Sequence, residues 1–456
     1  MSFPRYPEYK DSGVEWLGKV PSHWGLRKIK YIASFAGGGT PSRDRPDYWN
    51  GEIPWVSPKD MKSERIIGAE ETITLDGLAN STATLIPTQR ILMVVRSGIL
   101  KHTIPVAIND TPVALNQDIK SIHFPTHHCN PDYFLRWVQG LNDILLSIWA
   151  KQGATVESIE HDYLSNTTIA LPPPAEQSAI VAFLNREVIK LDELVAEQQR
   201  LIELLKEERE AVISHAVTKG LNPDAPMKPS GVEWLGEVPA HWRIVPLGKV
   251  TSSRCDGPFG SGLKSDHYTD FGVRVVRLQN IGYRNFRSAD AAFISSDYYE
   301  RELGGHDVRA GDILIAGLGD ENNVVGRACV APTGIEPAMV KADCFRFRLD
   351  EAQASPEFVA AALSAGAAAD AGRLSSGSTR SRIPLSTMAT RRLALPSLAE
   401  QKQISSFTNA VVLKVDALMG EAQRAIELLQ ERRTALISAA VTGQIDVRAI
   451  AGKAAA

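Results

Sequence analysis

Two stretches of the chain carry apolar residues at spacings that alternate between four and three. Between Pro174 and Lys219 there is no interior proline or glycine, and the apolar positions fall at Leu184, Val188, Leu191, Val195, Ile202, Leu205, Val212 and Ala216, with Gln198 and Arg209 at two polar seam positions. That is a heptad seam. The same phase returns at Val412, Val415, Met419, Ala422, Ile426, Leu429, Leu436 and Ala440, with Arg433 in the register of Arg209. Two long helices, each with one seam, are expected to pack antiparallel on each other. Both follow prolines (Pro172 to Pro174; Pro396) and stop near Gly220 or Gly443, as helix boundaries should. A helix of about 45 residues spans about 70 Å, the dimension of a spacer.

The remaining sequence reads differently. Short strand-like runs lie at Ile91 to Val95, Val273 to Leu278, Asp312 to Ala316 and Phe345 to Leu349, and one amphipathic helix is expected in each half, at Pro131 to Trp149 and Pro356 to Ala371. The expected class is α+β, with two globular domains and two long helices.

The halves also repeat each other. SGVEWLGKVPSHW at 12 to 24 returns as SGVEWLGEVPAHW at 230 to 242, an offset of 218. IALPPPAEQ (169 to 177) matches LALPSLAEQ (393 to 401), and ISHAVTKG (213 to 220) matches ISAAVTGQ (437 to 444), both at 224. The six extra residues of the second copy enter between Trp242 and Phe358, where the copies differ most. A period this long belongs to homologous domains about a pseudo-dyad, not to a solenoid. The expected order is a globular domain over residues 1–168, a helix over 169–221, a globular domain over 222–392, a helix over 393–446 and a flexible tail over 447–456.

Composition narrows the choices. With 456 residues, 44% of them hydrophobic, the chain can bury a substantial core. No apolar run approaches a membrane span and the first residues (MSFPRYPEYKDSG) do not resemble a signal peptide, so a soluble cytoplasmic protein is expected. Cys129, Cys255, Cys329 and Cys344 lie far apart, which fits reduced thiols rather than a zinc ribbon or a disulfide scaffold. A net charge of -3 means that any polyanion must be held by local patches.

The catalytic signatures fail. GPFGSGLKS (257 to 265) imitates a phosphate-binding loop, but Lys264 does not follow Gly262 directly. LPPP at 171 to 174 has Leu171 where an amino-methyltransferase tetrapeptide needs a polar residue. His127 and His128 beside Cys129 lack a second ligand cluster. What remains are polar residues among glycines and aromatics: Arg43, Arg45, Ser57 and Lys59 in the first half, and Lys264, Arg277, Gln279, Asn280 and Arg284 in the second. Arg and Lys can hold phosphates or guanine, and Asn and Gln suit adenine edges. Loop residues of these types are equally compatible with ordinary turns. Trp16, Trp24, Trp234 and Trp242 are expected as core plugs.

GGTPSRDRPDYWNGEIPWVSPKDM, DGPFGSGLKSDHY, ALNQDIKSI at 114 to 122 and the paired P-x-x-EQ helix openings resemble the specificity subunits of type I restriction-modification systems. The resemblance implies that each globular domain is a target recognition domain reading one half of a bipartite, asymmetric DNA site, that the helices set the half-site spacing and dock two modification subunits, and that the chain is no enzyme. It needs no cofactor of its own, since S-adenosylmethionine belongs to the modification subunits; restriction subunits are a further option. Thr40, Ser42, Arg96, Lys101, Ser261, Thr379 and Arg380 join the residues above as DNA-contact candidates, and Glu176, Gln177, Glu400 and Gln401 are the partner-docking candidates. The two glutamates would also suit a helix N-terminus through its dipole. Two other readings stand beside this one: an enzyme with its own methylation or restriction site, and a coiled-coil scaffold that binds only protein.

Overall fold

The computed structural model describes residues 3–125, 127–151, 155–259, 262–367, 369 and 381–448. The chain divides into two compact units, one made of Met1–Gln199 with Gln423–Ala456, the other of Arg200–Ala422. The helices run Pro174–Lys219 and Leu398–Val441, and each gives one half to either unit. The breaks after Gln199 and Ala422 fall within one residue of repeat-equivalent positions, so each unit holds one globular domain and two helix segments.

In the first unit a five-stranded sheet runs Ser34–Gly37, Ile119–His123, Ile91–Val94, Val106–Asn109, Arg65–Ile66, beside a four-stranded sheet Glu71–Ile73, Trp49–Val56, Val113–Leu115, Leu85–Ile86. The central strand explains why Ile91 to Val94 is apolar without alternation. Successive side chains point to opposite faces, and both faces are buried: Ile91 and Met93 join the cluster with Phe134 and Trp137, while Leu92 and Val94 join Val56, Val113 and Leu115. The second unit repeats this device. Ile313 and Ile315 pack toward Phe358, and Leu314 and Ala316 toward Val276 and Val340. Its sheets run Thr251–Cys255, Cys344–Leu349, Ile313–Ala316, Ala328–Val330 and Tyr268–Thr269, Phe293–Ile294, Val273–Val276, Ala338–Val340, Asp307–Val308. Both units are α+β.

Several expectations shift. The first amphipathic helix breaks into Pro131–Gly140 and Asn142–Trp149, and the second ends at Ala365. The run from Val273 is a strand only to Val276; Leu278–Asn280 is a single 3-10 turn. Val447 is buried in the first unit's core and Arg448 pairs with Asp446 at 2.7 Å, so the last described residues are anchored where a tail was expected. Residues 449–456 lie outside the described ones.

The seam packs the helix segments antiparallel within each unit. Leu184 and Val188 share the first unit's core with Ile437 and Ala440, and Asp192 meets Arg433 at 3.0 Å. In the second unit Ile213 packs with Val412 and Arg209 meets Asp416 at 2.7 Å. The two ion pairs are the same contact with donor and acceptor exchanged between helices, because 192 and 416, like 209 and 433, differ by the repeat. Ile213 and its counterpart Ile437 are fully buried, whereas the neighbouring Val212 and Leu436, which the heptad singled out, are only partly so.

A matched clamp closes each unit around its helix ends. Glu176, at the N-terminus of the first long helix, accepts from the Tyr6 hydroxyl at 2.6 Å, His23 Nε2 at 2.8 Å and Trp24 Nε1 at 3.0 Å. Burial and the adjacent Glu176 push the Tyr6 hydroxyl far above its ordinary range. Trp24 also lies against Gly443, just past the C-terminus of the second helix, where φ of +74° and the crowding of Pro21 both demand glycine. The second unit repeats it: Glu400 accepts from His241 Nε2 at 2.9 Å and Trp242 Nε1 at 3.0 Å, and Trp242 lies against Gly220. Trp24 and Trp242 are core plugs, fully buried, whereas Trp16 and Trp234 are only partly buried. Gln177 and Gln401 extend the clamp: each side-chain oxygen accepts a backbone N–H, from Asn130 and Ser355, and each amide donates to two carbonyls.

Candidate nucleic-acid interface

The clamp corrects one expectation at once. Gln177 and Gln401 are at most 1% exposed and Glu176 is 7% exposed, so these three side chains act as internal fasteners, and Ala175 and Ala399 are the exposed residues of the A-E-Q openings. Glu400, on the rim of its clamp, is a quarter exposed but has its oxygens committed to His241 and Trp242.

The glycine loops are also explained from within. A Cβ on Gly38 would sit 2.2 Å from the carbonyl oxygens of Leu115 and Asn116, and one on Gly257 would sit 2.2 Å from the carbonyl carbon of Lys341. In both units the loop crosses directly over the strand end that lies against the paired sheet, and only glycine fits the crossing. At Gly38 and Gly257 packing alone accounts for the glycine, whereas a Cβ on Gly37 would meet nothing within 4 Å. Leu171 is buried at the end of strand Thr168–Leu171, which pairs with Gly25–Lys28, so LPPP closes a strand and offers no polar group to hold a target amine.

Around the first loop the candidates gather on the surface. Thr40 donates to Gln117; Arg43 pairs with Glu71 and stacks on Trp49 with its guanidinium 3.7 Å from the ring centroid; Arg45 pairs with Asp47 at 2.6 Å. The Glu71 hydrogen bond holds the Arg43 charge above its usual pKa, and the Arg43 hydrogen bond, with help from Lys59, holds Glu71 below its own. Ser42 and Lys59 are exposed, and Ser57 is tied by its amide and hydroxyl to Asp60. Exposed ion pairs of this kind are weak and exchange readily for a phosphate. Arg96, paired with Asp118 at 2.6 Å, and Lys101 are exposed on other loops of the same unit.

The second unit sorts its candidates more sharply. Lys264 is exposed. Asn280 is 1% exposed and used up: its oxygen accepts from the Arg277 amide at 2.9 Å and its nitrogen donates to the carbonyls of Arg287 and Asp290. It shapes the turn and cannot reach a base. Arg284 makes two 2.8 Å bonds to Glu210 on the first long helix, fastening the globular domain to the helix. Arg277 holds Asp290 at 2.6 Å. Gln279 alone of the turn is exposed with a free side chain, because the residues 278 to 280 form a 3-10 turn and not the alternating strand that would have set it opposite Asn280. Ser261, Thr379 and Arg380 lie outside the described residues.

A cleft of about 280 Å³, missed in the sequence, opens beside Gln279. Leu278, Arg287, Leu318, Gly319, Asp320, Asn323 and Arg327 line it. Backbone N–H groups of Asn323 and Asn322 hold the Asp320 carboxyl below the usual carboxylate range. The D-E-N-N run at 320 to 323 was a legible turn signal, but nothing in the sequence joined it to Gln279 across some forty intervening residues.

On the long helices the faces away from the seam carry large apolar residues at repeat-equivalent positions: Ile189 with Leu413, Leu194 with Leu418, and Leu204 with Leu428, all at least 40% exposed. Among the described residues no group of His, Cys, Asp and Glu is placed to hold a metal, and no helix is long and apolar enough to cross a membrane.

Residues 21–204 match the family model of the type I restriction modification DNA specificity domain. The match takes in about two fifths of the chain. Among its relatives are the specificity subunit of the type I restriction enzyme EcoR124I/EcoR124II of Escherichia coli, 32% identical over 203 residues, and that of MjaIX of Methanocaldococcus jannaschii, 29% identical over 204. Each alignment covers 44% of this chain, and the chain spans about half the length of these curated relatives, 48% and 44%. The fold extends the likeness over the whole chain. A solved structure from work on complex assembly and conformational transition of the type I R-M system superposes with a TM-score of 0.68 at 16% identity, covering 92% of this chain and 98% of that one. The HsdS subunit from Thermoanaerobacter tengcongensis gives 0.52 at 16%, covering 93% and 98%. The chain is thus similar in sequence to type I specificity subunits over part of its length and shares their fold over most of it.

Proposed function

We propose that the chain is the non-catalytic DNA-specificity subunit of a type I restriction-modification assembly, reading a bipartite, asymmetric site with one globular domain per half-site. The observation that carries this reading is one scaffold built twice with different rims. The His–Trp clamp, the buried central strand and the reciprocal ion pair recur in both units, whereas the exposed polar side chains differ: Arg43 stacked on Trp49 in one, the Gln279 cleft in the other. Equal scaffolds with unequal rims suit two unlike half-sites, each entered through a major groove.

Near-neutral charge leaves the chain alone a weak DNA binder, since phosphate neutralisation supplies most non-specific affinity. Partner subunits around the duplex would add the rest, and they would bring S-adenosylmethionine and the methyl-transfer site. A restriction subunit would join the same assembly in the cytoplasm. The motif selected by the chain with its modification subunits from randomised duplexes tests the reading: two blocks with a fixed gap are expected, and one block or none contradicts it.

The apolar residues on the outward helix faces replace the A-E-Q openings as the docking surface. Within the first unit Ile189 and Leu194 are 56% and 43% exposed, and their equivalents Leu413 and Leu418 in the second are 73% and 40% exposed. Their occurrence in both helices favours two modification subunits per chain. Changing Leu194 and Leu418 together to glutamate should abolish co-purification of the modification subunit at micromolar concentration while leaving the thermal unfolding of the free chain unchanged, because both side chains already face water. Retained two-to-one assembly would rule this surface out.

A further inference from the structure

We infer that the cleft beside Gln279 is where the second globular domain reads a base edge, with Gln279 and Asn323 presenting amides to adenine and Arg287 gripping the neighbouring phosphate. The inference rests on the DNA-reading function proposed above and assigns that function to side chains.

Most polar groups of this turn are already bonded. Arg277, Asn280 and Arg284 are committed to Asp290, to backbone carbonyls and to Glu210, which leaves Gln279 and Arg287 as exposed side chains with unspent polar groups that line the cleft, while the exposed Asn285 lines a different one. Asn323 adds an amide whose oxygen is free and whose nitrogen makes only a long, 3.4 Å contact to Asp320.

The walls of the cleft are fixed. The guanidinium of Arg327, 3% exposed, donates to the carbonyls of Leu278, Ile281, Asn323 and Val324 and so ties the Gln279 turn to the Asn323 loop. Tyr283 adds a second tie, its hydroxyl accepting the Val324 amide at 3.1 Å. Gly319 has no room for a Cβ, which would lie 2.3 Å from the Val325 nitrogen, so the loop is wound tight. A reader held this way loses little conformational entropy on binding.

The place in the scaffold also fits. The edge strand Leu318–Gly319 pairs with Ser381–Arg382, and in the first unit the equivalent bridge joins Arg96 to Ser158. At this scaffold position the first unit carries Arg96, tied to Asp118 and followed by the turn Gly98–Lys101, and the second carries Leu318, followed by the Asp320 to Asn323 loop. A bidentate amide on the N6 and N7 of adenine is the pairing that the free groups of Gln279 and Asn323 allow.

The test compares full-length wild type, Gln279→Ala, Asn323→Ala and Arg287→Ala, each assembled with modification subunits, by the motif selected from randomised duplexes at two salt concentrations. Gln279→Ala or Asn323→Ala should reduce the preference for adenine at one position of one block by about five- to a hundredfold and leave the other block unchanged. Arg287→Ala should weaken all duplexes alike and lower the salt slope by about one unit. If both amide variants return the wild-type motif at full preference, the cleft is not a reader, although the two-block site stands. If wild type itself enriches no two-block motif, the DNA-reading function falls and this assignment with it.

Discussion

Replacing Glu176 with alanine should lower the stability of the first unit by about 3 kcal/mol, because two buried donors, the Tyr6 hydroxyl and Trp24 Nε1, would lose a charged acceptor with no water to replace it. The second unit offers an internal comparison. Glu400 is 25% exposed against 7% for Glu176, and His241 can turn to solvent, so Glu400→Ala should cost about half as much. Urea unfolding of the full chain, followed by tryptophan fluorescence, reads both, since Trp24 and Trp242 sit in the clamps. Equal stability of Glu176→Ala and wild type would mean that the helix ends are held by apolar packing alone.

The second expected effect concerns the helices as a ruler. Seven residues inserted after Gln199 and seven after Gln423, the repeat-equivalent position, would keep the heptad phase in both helices and lengthen each by about 10.5 Å. With DNA rising about 3.4 Å per base pair, the gap in the recognised site should grow by about three base pairs while both blocks keep their sequence. Four residues in the first helix alone would add about 6 Å and turn the downstream helix segment by about 40°, and the gap should again change while both blocks keep their sequence. A longer double insertion that methylates the original site unchanged would remove the ruler.

How much of the fold the sequence reveals depends on the range of the interactions. The first long helix was legible to within a few residues: expected over 169–221, it runs Pro174–Lys219 after a strand that ends at Leu171, and a proline, a heptad and a glycine are all local signals. The two-unit plan was legible because repetition survives in the fingerprint around Trp24 and Trp242. Heptad phase picked Val212 where the core takes Ile213, since the globular domain adds a second packing surface at that turn which periodicity alone does not contain.

The errors of role have one cause. Glu176 and Gln177 are polar, repeated and placed at a helix start, which suits a docking patch; their partners are Trp24, 152 positions away, and Asn130, 47 away. Asn280 has the side chain of a base reader, but its three bonds close a turn whose other side lies seven and ten residues on. Residue type announces what a group can bond to, and only the fold says whether that bond has already been made. The Gln279 cleft escaped notice for the converse reason: Arg327 reads as a surface cation, yet it is buried and ties together two loops some forty residues apart.

If this chain chooses a two-block DNA sequence for a methyltransferase it does not itself contain, its gene should control where a host genome is methylated. Mapping methylated bases across the genome of a host that carries the modification subunits tests this most directly, with the gene for this chain present, deleted and restored. One bipartite, asymmetric motif with a fixed gap is expected, methylated with the chain, unmethylated without it and methylated again on restoration. Methylation that is the same in all three hosts would contradict the proposed role.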